Sequence, residues 1–236
     1  MRRPVFVGND VVDLRDPWAR SAAGRTRFVE RVCTESERAM VARSREPCVT
    51  FWTLFAAKEA AYKVVLKLRP DAILAHRKFE VGPGLDELHY DGMRIVLDVE
   101  VMPSHVHVVA ATRAGPHLAG VAKLPDDDDS SAAARELLMG TMAVRMCCAR
   151  DELEIVRERR AGSWDGFGPP ALFRGGALVE ADVSLSHDGG FVAFAATAWD
   201  AITAKASVEP SSHALNFGCA RLPGRSSISS WCCCRS

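Results

Sequence analysis

Nothing in this chain of 236 residues points to a membrane, a nucleic acid or a zinc finger. No apolar run approaches the roughly 18 residues that a spanning helix needs. Acids and bases balance at 30 each, so no global field draws the protein to a phosphate backbone or an anionic bilayer. The start, Met1-Arg-Arg-Pro-Val-Phe-Val-Gly8, is basic but lacks the apolar segment of a signal peptide, so the expected compartment is the cytoplasm. Eight cysteines make no Cys-x-x-Cys pair. Cys33, Cys48 and Cys219 stand alone, Cys147 and Cys148 are adjacent in a helical pattern, and Cys232 to Cys234 are consecutive. Neither a zinc site nor a disulfide framework is expected from that spacing. The length suffices for one large domain or two small ones with a real core.

What the chain does have is one dominant helical stretch, Thr50 to Leu68. Phe51, Leu54, Phe55, Tyr62, Val65 and Leu66 gather on one broad apolar side. Glu59, Lys63 and Lys67 step four residues at a time down another. Ala56, Ala57, Ala60 and Ala61 surround that step, favour helix and hold bulk away, which would let a ligand lie close. Arg69-Pro70 ends the helix, because proline disfavours helical geometry in the residue before it.

Before it, Pro4 to Val7 alternates like a short strand that gives way near Asp10, and Gly8 permits a turn or a close approach. Thr34-x-x-Glu37 reads as a capping box, and Pro47 separates its helix from the next. After Pro70 the period becomes two. Phe79 to Val81 is a strand candidate, Tyr90-Asp91-Gly92-Met93 a hairpin turn, and Ile95 to Val101 and Val106 to Ala111 further strands. The acidic run Asp126 to Asp129 reads as a solvated linker with favourable charge at the amino end of a helix from about Ala132 to Cys148. Leu153 to Glu158 alternates, Gly162 to Pro170 is a loop, and Val179 to Ser186 leads into Phe191 to Thr197.

The second half therefore repeats the first in order, and Ser104-His105 to Thr112 resembles Ser186-His187 to Thr197. The expectation is an α+β fold of two similar subdomains, each a helix on a small antiparallel sheet, related by a pseudo-twofold with a cleft between them. The first would cover residues 1–115 and the second 116–199, joined near residues 114 to 130. Residues 200–236, serine-rich and without period, read as a poorly ordered tail.

Three places can carry chemistry: Asp10, the Lys58-Glu59-x-x-x-Lys63 step, and Ser184-Leu-Ser-His187. Each also has an ordinary structural reading. Asp10 suits a turn or a cap, Glu59 and Lys63 a surface ion pair, and His187 a tight connection before Asp188-Gly189-Gly190. Together they suit a phosphate ligand. Magnesium takes oxygen ligands, typically one or two carboxylates plus substrate phosphates. Asp10 and Glu59 can supply the carboxylates, a nearby lysine a diphosphate partner, and a serine and histidine the opposite wall.

Gly8-Asn9-Asp10-Val11-Val12-Asp13-Leu14, Phe55-Ala-Ala-Lys58-Glu59-Ala-Ala-Tyr-Lys63 and Ser184-Leu-Ser-His187-Asp188 resemble the motifs of the 4′-phosphopantetheinyl transferase superfamily. The resemblance extends from residue 5 to residue 197. It implies transfer of the phosphopantetheine arm of coenzyme A to a serine of an apo acyl or peptidyl carrier protein, with 3′,5′-ADP released. Asp10 and Glu59 would bind magnesium, and Glu59 or a metal-held water would help deprotonate the serine. Lys63 would stabilise the diphosphate and protonate the leaving group. Ser186 and His187 would contact coenzyme A phosphates from the other half. The 3′-phosphate would fall to a basic residue such as Arg77, Lys78, Arg157, Arg159 or Arg160.

The chain departs from the family pattern in three ways. Val12 stands where many two-halved members have a second acid, whereas Asp13 agrees with the short trimeric synthases. Asn9 replaces an apolar residue. The motif order is also that of the short synthases. A single chain that builds the cleft for itself is expected to be a monomer, with Asp10 and Glu59 on one wall and His187 on the other. The contrasting reading is an inactive module of the same fold that binds carrier protein or coenzyme A. A metal-dependent phosphohydrolase is a third.

Overall fold

The computed structural model describes residues 4–124, 129–161 and 166–197. The tail expected from residue 200 lies outside them, as do Asp126, Asp127 and Asp128. The chain runs β1 (Val7–Asp13), α1 (Pro17–Ala22), α2 (Thr26–Val32), α3 (Glu35–Arg43) and α4 (Pro47–Leu68). A 3-10 turn, His76–Lys78, leads to β2 (Phe79–Val81), β3 (Glu87–Tyr90), β4 (Met93–Val101) and β5 (His105–Ala111). Then come β6 (His117–Lys123), α5 (Ser130–Met146), β7 (Leu153–Arg159), β8 (Phe167–Arg174), β9 (Ala177–Asp188) and β10 (Phe191–Thr197).

The strands form two five-stranded antiparallel sheets of order β1-β5-β4-β3-β2 and β6-β10-β9-β8-β7. In each, an opening strand is followed by helix and then by a four-strand meander, whose last strand returns to pair with the first. The architecture is thus α+β with a repeated connectivity.

Strand alternation sorts the core into layers. On β1, Val12 joins the α4 core with Phe51, Leu54, Val64, Val106 and Val108. Val7 and Val11 point the other way, onto Val109 and Ala195 and onto Phe191 and Ala193. The two sheets therefore meet through β1, β5 and β10. On β10 the alternate residues Phe194 and Ala196 pack with Leu138, Met142, Leu172 and Val183 beneath α5.

The alanines of α4 serve this packing and not a ligand. Ala56, Ala57, Ala60 and Ala61 are all fully buried. A Cβ added to Gly8 would stand 2.1 Å from the Ala60 carbonyl oxygen, so the helix and β1 touch backbone to backbone.

Several local expectations change. β1 does not end near Asp10 but continues to Asp13, paired with β5 along its whole length. Polar residues are tolerated there because the outer edge of β1 has partners. The N–H groups of Val7, Asn9 and Asp13 donate to Asp182 Oδ2, Ser184 Oγ and Asp188 Oδ2 of β9 at 2.7, 3.0 and 2.8 Å. Lys67 and Lys63 of α4 donate to the carbonyls of Val7 and Asn9, both at 2.6 Å. An exposed sheet edge is thereby closed by side chains.

Pro47 starts α4 as one of its first helical residues, where its missing N–H costs nothing. β6 occupies much of the stretch expected to join the halves. Pro169 and Pro170, expected in a loop, lie in β8; Pro170 pairs with Arg157 on β7, and the pairing with β9 begins only at Ala171. The Thr34 capping box is present, with Glu37 N–H donating to Thr34 Oγ1 and Thr34 N–H to Glu37 Oε2. The Asp91-Gly92 turn has both residues at positive φ, 46° and 77°, as the tight hairpin needs.

Candidate functional site

The charged residues of α4 do not pair with one another; each reaches across to other elements. Lys58 turns inward and is wholly buried. Its ammonium donates to Glu37 Oε2 at 2.5 Å, to the Val32 carbonyl at 2.8 Å and to the His76 carbonyl at 3.1 Å. Glu37 also accepts from the Val81 N–H, so this pair is satisfied on every side and structural. Lys67 joins Asp182 of β9 at 2.7 Å and the Val183 carbonyl at 2.8 Å. Lys63 lies 3.1 Å from Asp10 Oδ1 and 3.5 Å from the Leu185 carbonyl, in addition to its bond to Asn9. Glu59 meets His76, whose Nε2 is 2.8 Å from Glu59 Oε1.

Asp10, Val11, Val12, Trp18, Ala19, Trp52, Phe55, Glu59, His187 and Asp188 line one cavity of about 290 Å³. Asp10 comes from β1, Glu59 from α4, and His187 and Asp188 from the end of β9 in the other sheet. One end is ionic. The other is aromatic, and there Trp18 packs on Phe28 and Trp52, and Trp52 on Phe55. Part of the apolar side of α4 is therefore cavity wall.

Burial pushes the Asp10 carboxyl up to about 6; the Lys63 ammonium opposes the shift, and the charges of Glu59 and Asp188 reinforce it. Asp188 is raised by burial as well. A site where carboxylates raise one another favours an added cation. Among the described residues no group of three or more His, Cys, Asp or Glu forms a metal cage. Two hard oxygen donors on a cavity fit magnesium, which leaves coordination positions for substrate phosphates, and do not fit zinc. Asp10 and Glu59 are the residues that would hold it.

The other expected contacts lie elsewhere. Ser186 is buried between the sheets and accepts from Asn9 Nδ2 at 2.8 Å, away from the cavity lining. Ser184 accepts from the Asn9 N–H. Asn9, fully buried, also meets His107 Nε2 at 3.2 Å, and its Oδ1 has no protein partner. The polar Asn9 thus belongs to a buried network joining the halves. Burial pushes His107 down to about 4, helped by the charges of His105, Lys63 and His117.

Asp13 accepts from the Gly190 N–H at 3.0 Å and the Arg15 N–H at 2.8 Å. Gly189, at φ 50°, would place a Cβ 2.8 Å from Asp13. Asp13 therefore pins the turn that carries His187 and Asp188. Arg77 and Lys78 are exposed on the 3-10 turn after α4 and do not line the cavity. Arg157 and Arg159 lie over the Phe167 ring on β7 and β8.

His76 and Trp18 carried no motif in the sequence and take part in the site. A weak signal existed for Trp18, a large aromatic just after the Asp13-Leu-Arg-Asp turn. None existed for His76. No helix among the described residues is long and apolar enough to cross a membrane.

No curated protein and no solved structure matches the chain. Residues 6–86 match the sequence model of the 4′-phosphopantetheinyl transferase superfamily. That segment holds β1, α4, Asp10, Glu59 and Lys63. Over that segment, which is less than half of the chain, the protein is similar to the 4′-phosphopantetheinyl transferase superfamily.

Proposed function

We propose that the protein transfers the 4′-phosphopantetheine moiety of coenzyme A to a serine of an apo acyl or peptidyl carrier protein, with magnesium, and releases 3′,5′-ADP. The observation that carries this reading is the single cavity bounded by Asp10 and Glu59 from one half and His187 and Asp188 from the other. The matching connectivity of the two sheets supports a pseudo-twofold whose cleft is that cavity. Because one chain supplies both walls, the enzyme acts as a monomer.

Magnesium bound by Asp10 and Glu59 would neutralise diphosphate charge and make the phosphorus more electrophilic. Glu59 takes the proton of the carrier serine as its oxygen attacks the phosphorus that bears pantetheine. The bond to the bridging oxygen breaks, and 3′,5′-ADP leaves with a proton from Lys63. The Lys63 ammonium has acceptors at 2.6, 3.1 and 3.5 Å. The longest, to Leu185, is the contact a substrate oxygen most easily replaces. His187, exposed on the opposite wall, can donate to a coenzyme A phosphate.

The test is to incubate the protein with coenzyme A, magnesium and several apo carriers, and to weigh each carrier. Gain of one phosphopantetheine on any carrier, lost in Glu59→Ala, supports the reading. No gain across fatty acid, polyketide and peptide carriers overturns it. A solution mass above that of one chain would remove the monomer.

A further inference from the structure

We infer that His76 is a positioning residue that fixes the direction of the Glu59 carboxylate, an inference that rests on the magnesium-dependent transfer proposed above. His76 lies 17 residues beyond Glu59, in a 3-10 turn. It is not among the residues that line the cavity, and it reaches the site through two that do, Glu59 by a hydrogen bond and Phe55 by stacking.

Three contacts tie it to one face of α4. Its ring stacks on Phe55, with centroids 5.2 Å apart and planes 25° from parallel. Its backbone carbonyl accepts from Lys58, which is locked in turn by Glu37 and the Val32 carbonyl. Its Nε2 lies 2.8 Å from Glu59 Oε1. Phe55, Lys58 and Glu59 are spaced i, i+3 and i+4, so a single helical face sets the backbone, the ring plane and the hydrogen bond. The side chains of His76 and Glu59 are only 21% and 22% exposed, which limits competition from water.

The chemistry of the contact is defined. Against a carboxylate, a bare ring nitrogen at this distance would set lone pair against lone pair, so the tautomer assigned here has Nε2–H donating a hydrogen bond to Glu59 Oε1. Glutamate has three side-chain torsions, and an unrestrained carboxylate would sample many orientations at the cavity wall. Engaging Oε1 behind the wall leaves Oε2 as the oxygen offered to a cation or to a substrate proton. Such outer partners commonly change metal affinity about 10–100-fold when removed. The buried Lys58–Glu37 pair then has a role beyond stability, because it anchors the turn from which His76 reaches back.

Two variants remove the donor: His76→Phe keeps a ring to stack on Phe55, and His76→Leu keeps only bulk. His76→Gln restores a donor without a ring. The measurements are Mn²⁺ affinity by calorimetry in the presence of coenzyme A, the thermal midpoint, and kcat and the apparent KM for Mg²⁺ in the carrier assay. The expected result is Mn²⁺ binding weakened about tenfold or more in the Phe and Leu variants, at an unchanged midpoint in the Phe variant. His76→Gln recovers most of that affinity. Parent-like Mn²⁺ affinity in either donorless variant overturns the inference and leaves the transferase reading standing. A lowered midpoint with unchanged Mn²⁺ affinity shows a purely structural residue and overturns it as well. A parent that binds no Mn²⁺ removes the magnesium reading, and the role of His76 falls with it.

Discussion

Both sheets place the opening strand beside the last strand of a meander, and each has a helix across its outer face. The strands that open them differ in kind. β1 reads Val-Gly-Asn-Asp-Val-Val-Asp, and β6 reads His-Leu-Ala-Gly-Val-Ala-Lys. α4 is buried on nearly all sides, and its polar residues bond to β1, α3, β9 and His76. α5 buries only a stripe of Ala134, Leu138, Met139, Met142 and Ala143, and its Glu136 pairs with Arg150 on the surface. One connectivity thus supports two levels of commitment. The first half holds charges in fixed positions. The second supplies an opposite wall and the side chains that close the edge of β1. The most buried charges of α4 are held by the fold itself, and those at the cavity keep capacity for a ligand.

The comparison breaks most visibly at matched glutamates. Glu59→Ala is expected to lower carrier modification by at least about 100-fold, the low end of what a lost general base costs, while Glu136→Ala leaves the rate unchanged. Intact-mass time courses at equal protein concentration check both. Equal losses would mean that the activity is not localised in the first half.

Next in size is the packing of the two opening strands. In Gly8→Ala the new methyl meets the Ala60 carbonyl oxygen, which belongs to a helix backbone held on several sides. Neither element can move without breaking other contacts, so the cost is about 3 kcal/mol or more. In Gly120→Ala the new methyl meets the edge of the Phe194 ring at 2.7 Å, which a side chain can partly evade. The expected cost there is about 1–2 kcal/mol. Thermal unfolding should separate them, at about 2–4 °C per kcal/mol for a protein of this size. Similar shifts would show that β6 is as tightly locked as β1.

The long helix, the hairpin at Asp91-Gly92 and most strands were readable because period and turn residues are local properties. Asp10, Glu59 and His187, which the fold brings to one cavity, were readable as motifs. Long-range partnership was not. Lys58 looks like Lys63 in sequence, yet one faces Glu37 in the core and the other faces Asp10. The alanines of α4 looked like clearance for a ligand because nothing local reveals that a strand lies on them. β6 has small residues, partial burial throughout and no clean alternation, so its strand signal is faint. Ser186 follows a motif spacing, but strand alternation turns it between the sheets, to Asn9. His76 is a lone histidine between a helix and a strand, and only the return of the chain over Phe55 makes it a partner of Glu59.

A smaller effect separates the cavity from the sheet interface by pH. Asp10 ionises near 3.8 when unfolded and at about 6 when folded, so between those values folding takes up a proton. Its contribution to stability falls as pH rises through that window. His107 behaves oppositely, protonating near 6.5 when unfolded and at about 4 in the fold, so its contribution is lost as pH falls. The two slopes oppose each other between about pH 4 and 6. Asp10→Asn should therefore raise stability at pH 7 by about 1–3 kcal/mol while abolishing metal binding, and should expose a steeper loss toward acid. His107→Gln should show the reverse slope. Urea titrations at pH 4.5, 5.5 and 7 measure this, and parallel curves for parent and variants would show that neither group is held as described.

The smallest effect concerns Gly140, in the middle of α5. A Cβ there meets nothing within 4 Å, and the helix loses nothing by gaining one. Gly140→Ala lowers the backbone entropy of the unfolded chain and should stabilise the protein by about 0.5–1 kcal/mol. Carrier modification should be unchanged, because α5 covers the second sheet on the side away from the cavity. The sign is what matters. A methyl added where α4 meets β1 is costly and one added on the open side of α5 is favourable, because α4 is buried on nearly all sides and α5 along one stripe. A loss of stability in Gly140→Ala would mean that this side of α5 is covered as α4 is, and the contrast between the halves would then rest on charge alone.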